Sequence, residues 1–580
     1  MRDLLNRAGL VTGIGLLLVA APLSGVVASQ RPDDSLAPDL LLVDGRVLTM
    51  DDSGRIAQAV AVKNDRIVAV GSAEEIRGLA DARTRVIPLE GRTVLPGLVD
   101  AHSHTSGIPT DWLNLFDATS IPEILQAVSQ KIKTKPPGDW VVGSGKFMTY
   151  SGWDDKKLKE RRWLTRADLD PISPQNPVVL IKDGGHALVA NSAALRAAGF
   201  DRNTPDPRKE LVRDPATGEL TGAVLESSMD VIYSRFPPLT LADRVGAAAD
   251  ASRQLLEMGT TTVADAAVNE KAFPVFQELL ATRREPLVSY ILMPEVPTAG
   301  TLEEALQFVR SWRLKTGFGD QRMKLGALKF FVDGGITAGS AWFTVPYRNR
   351  PGHFGIQRIE TKTLHELVRV GDESGWQLHF HTCGDAAVAL VLDALEAAKK
   401  QNKTSGSRHV LTHLYYANEQ MIRRMKELGV IVVLQPNFVN TLGEHMRAAM
   451  QDDQLKRYMP FKSLLAAGVP VALSADGHPQ NPLYGIMNSV VRRTDQGNPL
   501  GEAEAVTVMD ALRAYTRTSA YSLFEEERRG SIELGKLADL IVLDRDILTV
   551  RAEEIQDLRV LLTVKDGRIA VDHLTSNTAR

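Results

Sequence analysis

Residues 38–95 alternate apolar and polar positions in short runs, DLLLVDGRVLTM, AVAVKNDRIVAVG and TRVIPLEG, broken by Asp-Gly, Asn-Asp and Gly-Ser turn signals. Period-two alternation between turn residues predicts short strands, each with one face toward a core. A matching set recurs near the other end, LADLIVLDRDI and VLLTVKDGRIAVD, again broken by Asp-Gly. The two ends, 38–95 and 528–575, are therefore expected to build one small β domain together.

Between them the period changes. Short β-branched runs alternate with amphipathic stretches such as TLHELVRVGDESG, AAVALVLDALEAAKK and EQMIRRMKELG, which is the βαβ pattern of a parallel sheet. Eight regularly spaced runs are candidate strands: Leu98 to His102, Thr260 to Ala264, Leu287 to Leu292, Leu325 to Phe331, Gln377 to His381, His409 to His413, Ile431 to Gln435 and Val471 to Ala475. Eight strands with intervening helices predict an α/β fold, a (β/α)8 barrel over 96–527. A ninth run, Val178 to Lys182, falls in a long segment of about 105–241 that reads as an insertion. Because it leaves from the C-terminal end of the first strand, it is expected over the catalytic face.

The first 29 residues read as a secretory signal peptide: Arg2 and Arg7, an apolar stretch from Ala8 to Leu23, then small residues around Ala28. The stretch is broken by Pro22 and Gly25 and falls short of the roughly 20 apolar residues that span a bilayer. The arginines are not adjacent and no cysteine is nearby to carry lipid, so the expectation is an exported protein, periplasmic or secreted, free of the membrane after cleavage.

Composition narrows the function. With 44% hydrophobic and 24% charged residues and a net charge of -3, the chain lacks both the apolar excess of a multi-span membrane protein and the basic footprint of a nucleic-acid binder. A small-molecule substrate is the expected partner, and a homo-oligomer is compatible with the sequence. Cys383 is the single cysteine, which excludes an intramolecular disulfide and any metal site made of cysteine alone.

The strongest chemical feature is LPGLVDAHSHT. His102 and His104, two apart at a strand end, share a face and can reach one cation. Further candidate ligands fall at other strand ends: His381 in LHFHTCGD, His413 in RHVLTHL and Asp476 in ALSADGHP. Any one of these alone could be a hydrogen-bonded polar cap; together they point to a metal centre. Lys329, in LGALKFFVDGG, places an ammonium in an apolar strand, which costs several kcal/mol of desolvation unless it is neutralised or paired. Desolvation lowers a lysine pKa, and a neutral amine can react with carbon dioxide to give an anionic carbamate that bridges two cations. The alternatives are snorkelling to the rim or pairing with Asp333.

These segments, with KDGGHALVANSAAL, KFFVDGGITAGSAW, HTCGDAAVALVLDALE, SADGHPQNPLYGI and RGSIELGKLADLIVLDRD, resemble the amidohydrolase superfamily. Within it the chain is similar to family 3, the branch that includes N-substituted formamide deformylase. The resemblance covers nearly the whole chain after the leader. It implies a barrel flanked by a β-sandwich built from both chain ends. It implies metal ligation by His102 and His104, a bridging carbamylated Lys329, a second metal on His381 and His413, and Asp476 near the first. One or two zinc ions suit these donors, and a hydroxide held between cations is nucleophilic at neutral pH. The implied reaction is attack on a carbonyl with hydrolysis of a carbon–nitrogen bond other than a peptide bond, Asp476 passing the proton to the leaving nitrogen.

Two departures stand out. Thr412 occupies the place where this branch commonly carries a glutamate before the sixth-strand histidine, and Ala475-Asp476-Gly477-His478 replaces the usual Ser-Asp-Trp-Pro. Both alter the pocket, with His478 left facing substrate or backing a ligand. His186 in the insertion is a candidate to contact substrate or stabilise an oxyanion, or else it stabilises its loop. His379 is expected one layer beneath His381, supporting the ligands. Cys383 reads as small packing. Rival functions are an exported metal-dependent esterase, lactonase or phosphotriesterase, and an inactive metal-binding or sensor protein.

Overall fold

Each alternating run at the two chain ends forms strands. In the computed structural model the described residues are 37–105, 109, 111–145, 152–182, 185–269, 272–402 and 406–574. The expected signal peptide, residues 1–29, lies outside them. Contacts divide the chain into Met1–Ala37 and Pro38–Arg580, and the second unit is described here.

The strands Leu40–Val43, Ala59–Lys63, Arg66–Gly71 and Arg85–Pro88 make a four-stranded sheet. A six-stranded sheet joins the ends of the chain: Ile56–Ala57, Arg46–Leu48 and Thr93–Pro96 continue into Leu540–Leu543, Val560–Lys565 and Arg568–Asp572. Its seam is antiparallel, with Ile541 opposite Leu95 and Val542 opposite Val94. Leu40, Leu42, Val60 and Val62 of the first sheet share one buried cluster with Val47, Val94, Leu540, Val542 and Leu562 of the second.

Two all-parallel sheets occupy the middle. One runs Leu98–Ser103, Thr260–Val268, Ser289–Pro294, Met323–Leu325; the other runs Leu328–Phe331, Leu378–Thr382, Val410–His413, Ile431–Leu434, Val471–Leu473. The run read as one strand, Leu325 to Phe331, is thus two. The chain changes sheet at Gly326, whose amide donates to the Leu292 carbonyl while the Leu328 amide donates to Gln377. A Cβ on Gly326 would lie 2.9 Å from Ile291 Cγ2, so only glycine lets the backbone sit that close. Helices with one apolar face cover the sheets. Asp385–Gln401 buries Ala387, Val388, Val391, Leu392 and Leu395, and Glu419–Leu428 runs from the Asn418 cap to Gly429, which closes the helix at φ 71°.

The insertion holds more sheet than the single run read from its sequence. Leu113–Asn114, Val141–Ser144, Val178–Ile181, Ala187–Ala190, Leu220–Leu225 and Leu211–Arg213 form a six-stranded sheet with its own apolar clusters on both faces. The missed strands are two to six residues long, two of them interrupted by glycine, too short for a periodicity argument.

A buried ionic cluster ties the end-joining sheet to the parallel core. Arg529 donates to Glu525 at 2.9 Å and Asp539 at 3.0 Å, and Asp539 also receives Lys565 at 3.1 Å. Arg529 reaches across to Thr262 and Ser289 on the parallel strands, and Lys324 pairs with Glu525. Every charge in it has an opposite charge within hydrogen-bond reach. Among the described residues no helix is long and apolar enough to cross a membrane.

Candidate active site

The parallel strands deliver polar side chains at their C-terminal ends, where backbone direction changes and side chains need not pack. His102 lies in Leu98–Ser103 and His104 just beyond it; Lys329 lies in Leu328–Phe331, His381 in Leu378–Thr382, and His413 ends Val410–His413. Asp476 follows Val471–Leu473. His413 and Asp476 both take positive φ, 79° and 48°, a backbone cost of about 1–3 kcal/mol each that side-chain placement at a site commonly carries.

These side chains converge. Asp476 Oδ1 is 3.6 Å from His102 Nε2 and 3.4 Å from His104 Nε2, and its Oδ2 is 3.9 Å from His413 Nδ1. Lys329 Nζ lies 3.5 Å from His102 Nε2, and the His381 and His413 rings stand 4.3 Å apart. His102, His104 and Asp476 offer three donor atoms within 4.8 Å of one another, and so do His381, Cys383 and His413. A third such group, Asp154, Asp155 and His445, already holds the Lys182 ammonium 2.8 Å from Asp155.

The imidazoles are oriented from behind. His104 Nδ1 meets the Ala266 carbonyl at 3.0 Å, His413 Nδ1 meets Gln435 Oε1 at 2.8 Å, and His102 Nδ1 meets His379 Nε2 at 3.1 Å. With Nδ1 engaged, His102 and His104 turn Nε2 toward Asp476, the arrangement that fixes ring and tautomer in metal sites. Burial, joined by the Lys329 charge, holds His102 and His379 well below the ordinary imidazole value; burial and the neighbouring His413 do the same for His381. Burial also brings His413 down to about 3. All four are neutral and can donate a lone pair. Burial opposes the Asp476 charge, but the hydrogen bond from His104 and the histidines packed around the carboxyl outweigh it and hold it below its usual range. Lys329 is pushed down to about 7 by burial, so near neutrality much of it is free amine. Asp333 is not its partner: three backbone amides, of Trp342, Cys383 and Gly384, donate to that carboxylate at 2.8–2.9 Å, and burial still raises it to about 8. Asp333 Oδ1 stands 3.8 Å from His381 Nε2, beside the site rather than in it. Cys383 Sγ lies 3.3 Å from the same nitrogen, its thiol pushed well up by burial.

A cavity of about 440 Å³ opens above the cluster, lined by His102, His104, His381, His413, Asp476 and His478 below and by His186, Met229, Asp230 and Tyr233 of the insertion above. His478 packs its ring edge against Phe438. His186 Nδ1 is 3.0 Å from Glu226 Oε2, and its ring is 5.0 Å from that of His381. Gly334 and Gly335 make room for this pair, since a Cβ would come within 2.2 Å of Glu226 Oε1 on the first and 2.5 Å of His186 Cδ2 on the second.

Sequence reasoning missed four residues. Asp100 accepts from the His102 and Ala475 amides at 3.1 and 3.0 Å, bracing the first strand against the Asp476 turn; burial raises it to about 7. Its signal was an acid within the apolar run LVDAHS. Glu226 is fully enclosed by His186, Ser340 and Arg358, which overcome burial and hold it at about 2. Arg358 and Glu295 line the same cavity. Apart from the glycine pair, no local pattern marks these three, because their partners are distant in the chain.

The sequence model of the Amidohydrolase family matches residues 85–571. An N-substituted formamide deformylase from Arthrobacter pascens is 30% identical over 551 residues, spanning 91% of this chain and 97% of the relative. An uncharacterized metal-dependent hydrolase from Pyrococcus furiosus is 25% identical with a TM-score of 0.67, covering 88% of this chain and 100% of that one. The zinc complex of atrazine chlorohydrolase from Arthrobacter aurescens TC1 shares the fold, with a TM-score of 0.51 at 15% identity over 92% of this chain and 95% of that one.

Proposed function

The chain belongs to the amidohydrolase family, and we propose that within it the protein is a metal-dependent hydrolase of carbon–nitrogen bonds other than peptide bonds. The observation that carries this is the convergence of four imidazoles and one carboxylate from four strand ends onto the floor of one cavity, with the Lys329 amine buried directly behind His102. The donors fit a cation: burial keeps His102, His381 and His413 neutral, the rings of His102, His104 and His413 are held from behind, Asp476 is ionised, and among the described residues no carboxylate lies in ion-pair contact with Lys329.

His102, His104 and Asp476 would hold one divalent ion, most simply zinc; His381 and His413 would hold a second, with a carbamate on Lys329 between them. When bound, such a cation supplies Lewis acidity, lowering the pKa of water toward neutrality and polarising a carbonyl. The protein's own groups do the rest. Asp476 accepts the proton released as water adds to the carbonyl carbon and returns it to the nitrogen as the carbon–nitrogen bond breaks. His186, braced by Glu226, faces the developing oxyanion from the insertion side, and Arg358 keeps donors free beside it. His379 and Asp333 support the ligands, and His478 shapes the floor.

The same reading treats the two parallel sheets as one (β/α)8 barrel over 96–527. Supporting this, Glu295 bridges Lys329 between the sheets, and Ala101 of the first strand packs with Val410, Ile431, Val433 and Ala472 of the other sheet. The shared apolar cluster of the two end sheets supports a β-sandwich of 38–95 and 528–575. The leader pattern of residues 1–29 supports export, to the periplasm or beyond.

The test is a panel of amides, esters, lactones and phosphotriesters assayed on metal-depleted and zinc-reconstituted protein, with elemental analysis of the purified protein. We expect one or two equivalents of metal and amide hydrolysis that vanishes on depletion and returns with zinc. Hydrolysis of esters, lactones or phosphotriesters alone would assign the other hydrolase reading; absence of stoichiometric metal would sink both.

A further inference from the structure

We propose that Arg244 binds a carboxylate on the substrate, so that the amides hydrolysed here carry a negative charge away from the scissile bond; this rests on the hydrolase reading above. Arg244 lines the same cavity as His102, His381 and Asp476. It stands in the first turn of the helix Leu241–Glu257 and is half-buried. The positions three and four residues away on either side are Leu241, Thr240, Ala247 and Ala248, so its own helix offers no acid at pairing distance.

Neither does the rest of the cavity. Among the described residues no carboxylate pairs with Arg244, whereas Arg358, the other arginine on the cavity wall, donates to Glu226 at 3.0 Å. Among the described residues none of the four acids of the wall pairs with Arg244. Glu226 is taken by His186, Ser340 and Arg358; Asp476 is taken by the histidines; burial and neighbouring acids raise Glu295 and Asp230, and the cation acting on both is Arg358. A guanidinium half out of water, with five donors and no acceptor, is geometrically matched to a carboxylate. Met229 and Tyr233 line the same cavity and add apolar surface to it, which suits a substrate with a hydrophobic body between the amide and the acid.

The experiment uses the full, metal-loaded chain and two substrates differing in one group: 4-(2-acetamidoethyl)benzoate and N-acetylphenethylamine, with their N-formyl counterparts. We expect the carboxylate-bearing member of each pair to have about tenfold higher kcat/KM, carried by KM and weakened by salt. Arg244→Gln should erase that preference, with an unchanged thermal unfolding midpoint and metal content reporting that the variant folds; Arg244→Glu should reverse it. Equal kcat/KM for the two members in the unmodified protein, or an equal loss on both in Arg244→Gln, would overturn the proposal. Calorimetric binding of 3-phenylpropanoate against 3-phenylpropanamide separates it from the hydrolase reading. If no amide is cleaved yet propanoate binding drops about tenfold in Arg244→Gln, the hydrolase reading alone falls; if propanoate binding is indifferent to Arg244, the present proposal falls whatever is cleaved.

Discussion

Lys565 and Lys329 are both enclosed lysines, 1% and 0% exposed, in opposite surroundings. Lys565 sits 3.1 and 3.3 Å from the two oxygens of Asp539 and 2.7 Å from Asp566, in a cluster where Arg529, Lys324 and Glu525 are equally matched. Lys329 has imidazole for company, 3.5 Å away on His102, and the Phe331 ring at 4.9 Å. A buried cation beside carboxylates is scaffold, its cost offset within the protein. A buried lysine beside imidazole and without a carboxylate in contact is instead pushed toward its neutral amine, which is the reactive form.

The contrast can be broken in order of expected effect. Asp539→Ala leaves Lys565 and Arg529 short of their shared counter-ion and should cost about 3–5 kcal/mol in denaturant unfolding, with kcat per folded molecule unchanged; a loss below about 1 kcal/mol would mean the cluster is not scaffold. Lys329→Met removes the desolvated amine at the other place. Its unfolding free energy should hold or rise, while kcat/KM falls about 10²–10³-fold and metal content drops; unchanged metal and activity would rule out the bridging role. His186→Ala should lower kcat/KM about 10–100-fold with metal content intact, separating the contribution of the insertion from that of the floor.

The smallest effect is in acid. Glu226 is held at about 2 against its ordinary 4.5, so the stability it contributes is complete above about pH 4.5 and is lost as pH falls toward 2. Glu226→Gln should flatten that limb by on the order of 1 kcal/mol, read from urea midpoints between pH 2 and 5.

The floor of the site was legible in the sequence and its walls were not. His102, His104, His381, His413 and Asp476 lie at or just past strand ends that apolar runs announce, so period and position sufficed. Asp100 was readable on the same grounds, an acid inside an apolar run, and went unread. Glu226, Arg358 and Glu295 are brought in by an insertion and by loops, and their contacts, such as Arg358 on Glu226, bridge residues far apart in sequence. The end strands and their union in one domain followed from alternation and the matching Asp-Gly turns at both ends, whereas which strand pairs with which did not. The Gly326 break was invisible because a glycine inside an apolar run reads as strand until its neighbours are known.

The seam that sets Val542 against Val94 and Ile541 against Leu95 also dictates the order of events on the ribosome. Thr93–Pro96 emerges early and waits with one edge bare until Leu540–Leu543 has been made, so the sheet closes only after synthesis is nearly complete. Until then the nascent chain offers chaperones an open strand edge, and a stop codon anywhere before that closing strand would yield a product bound for proteolysis.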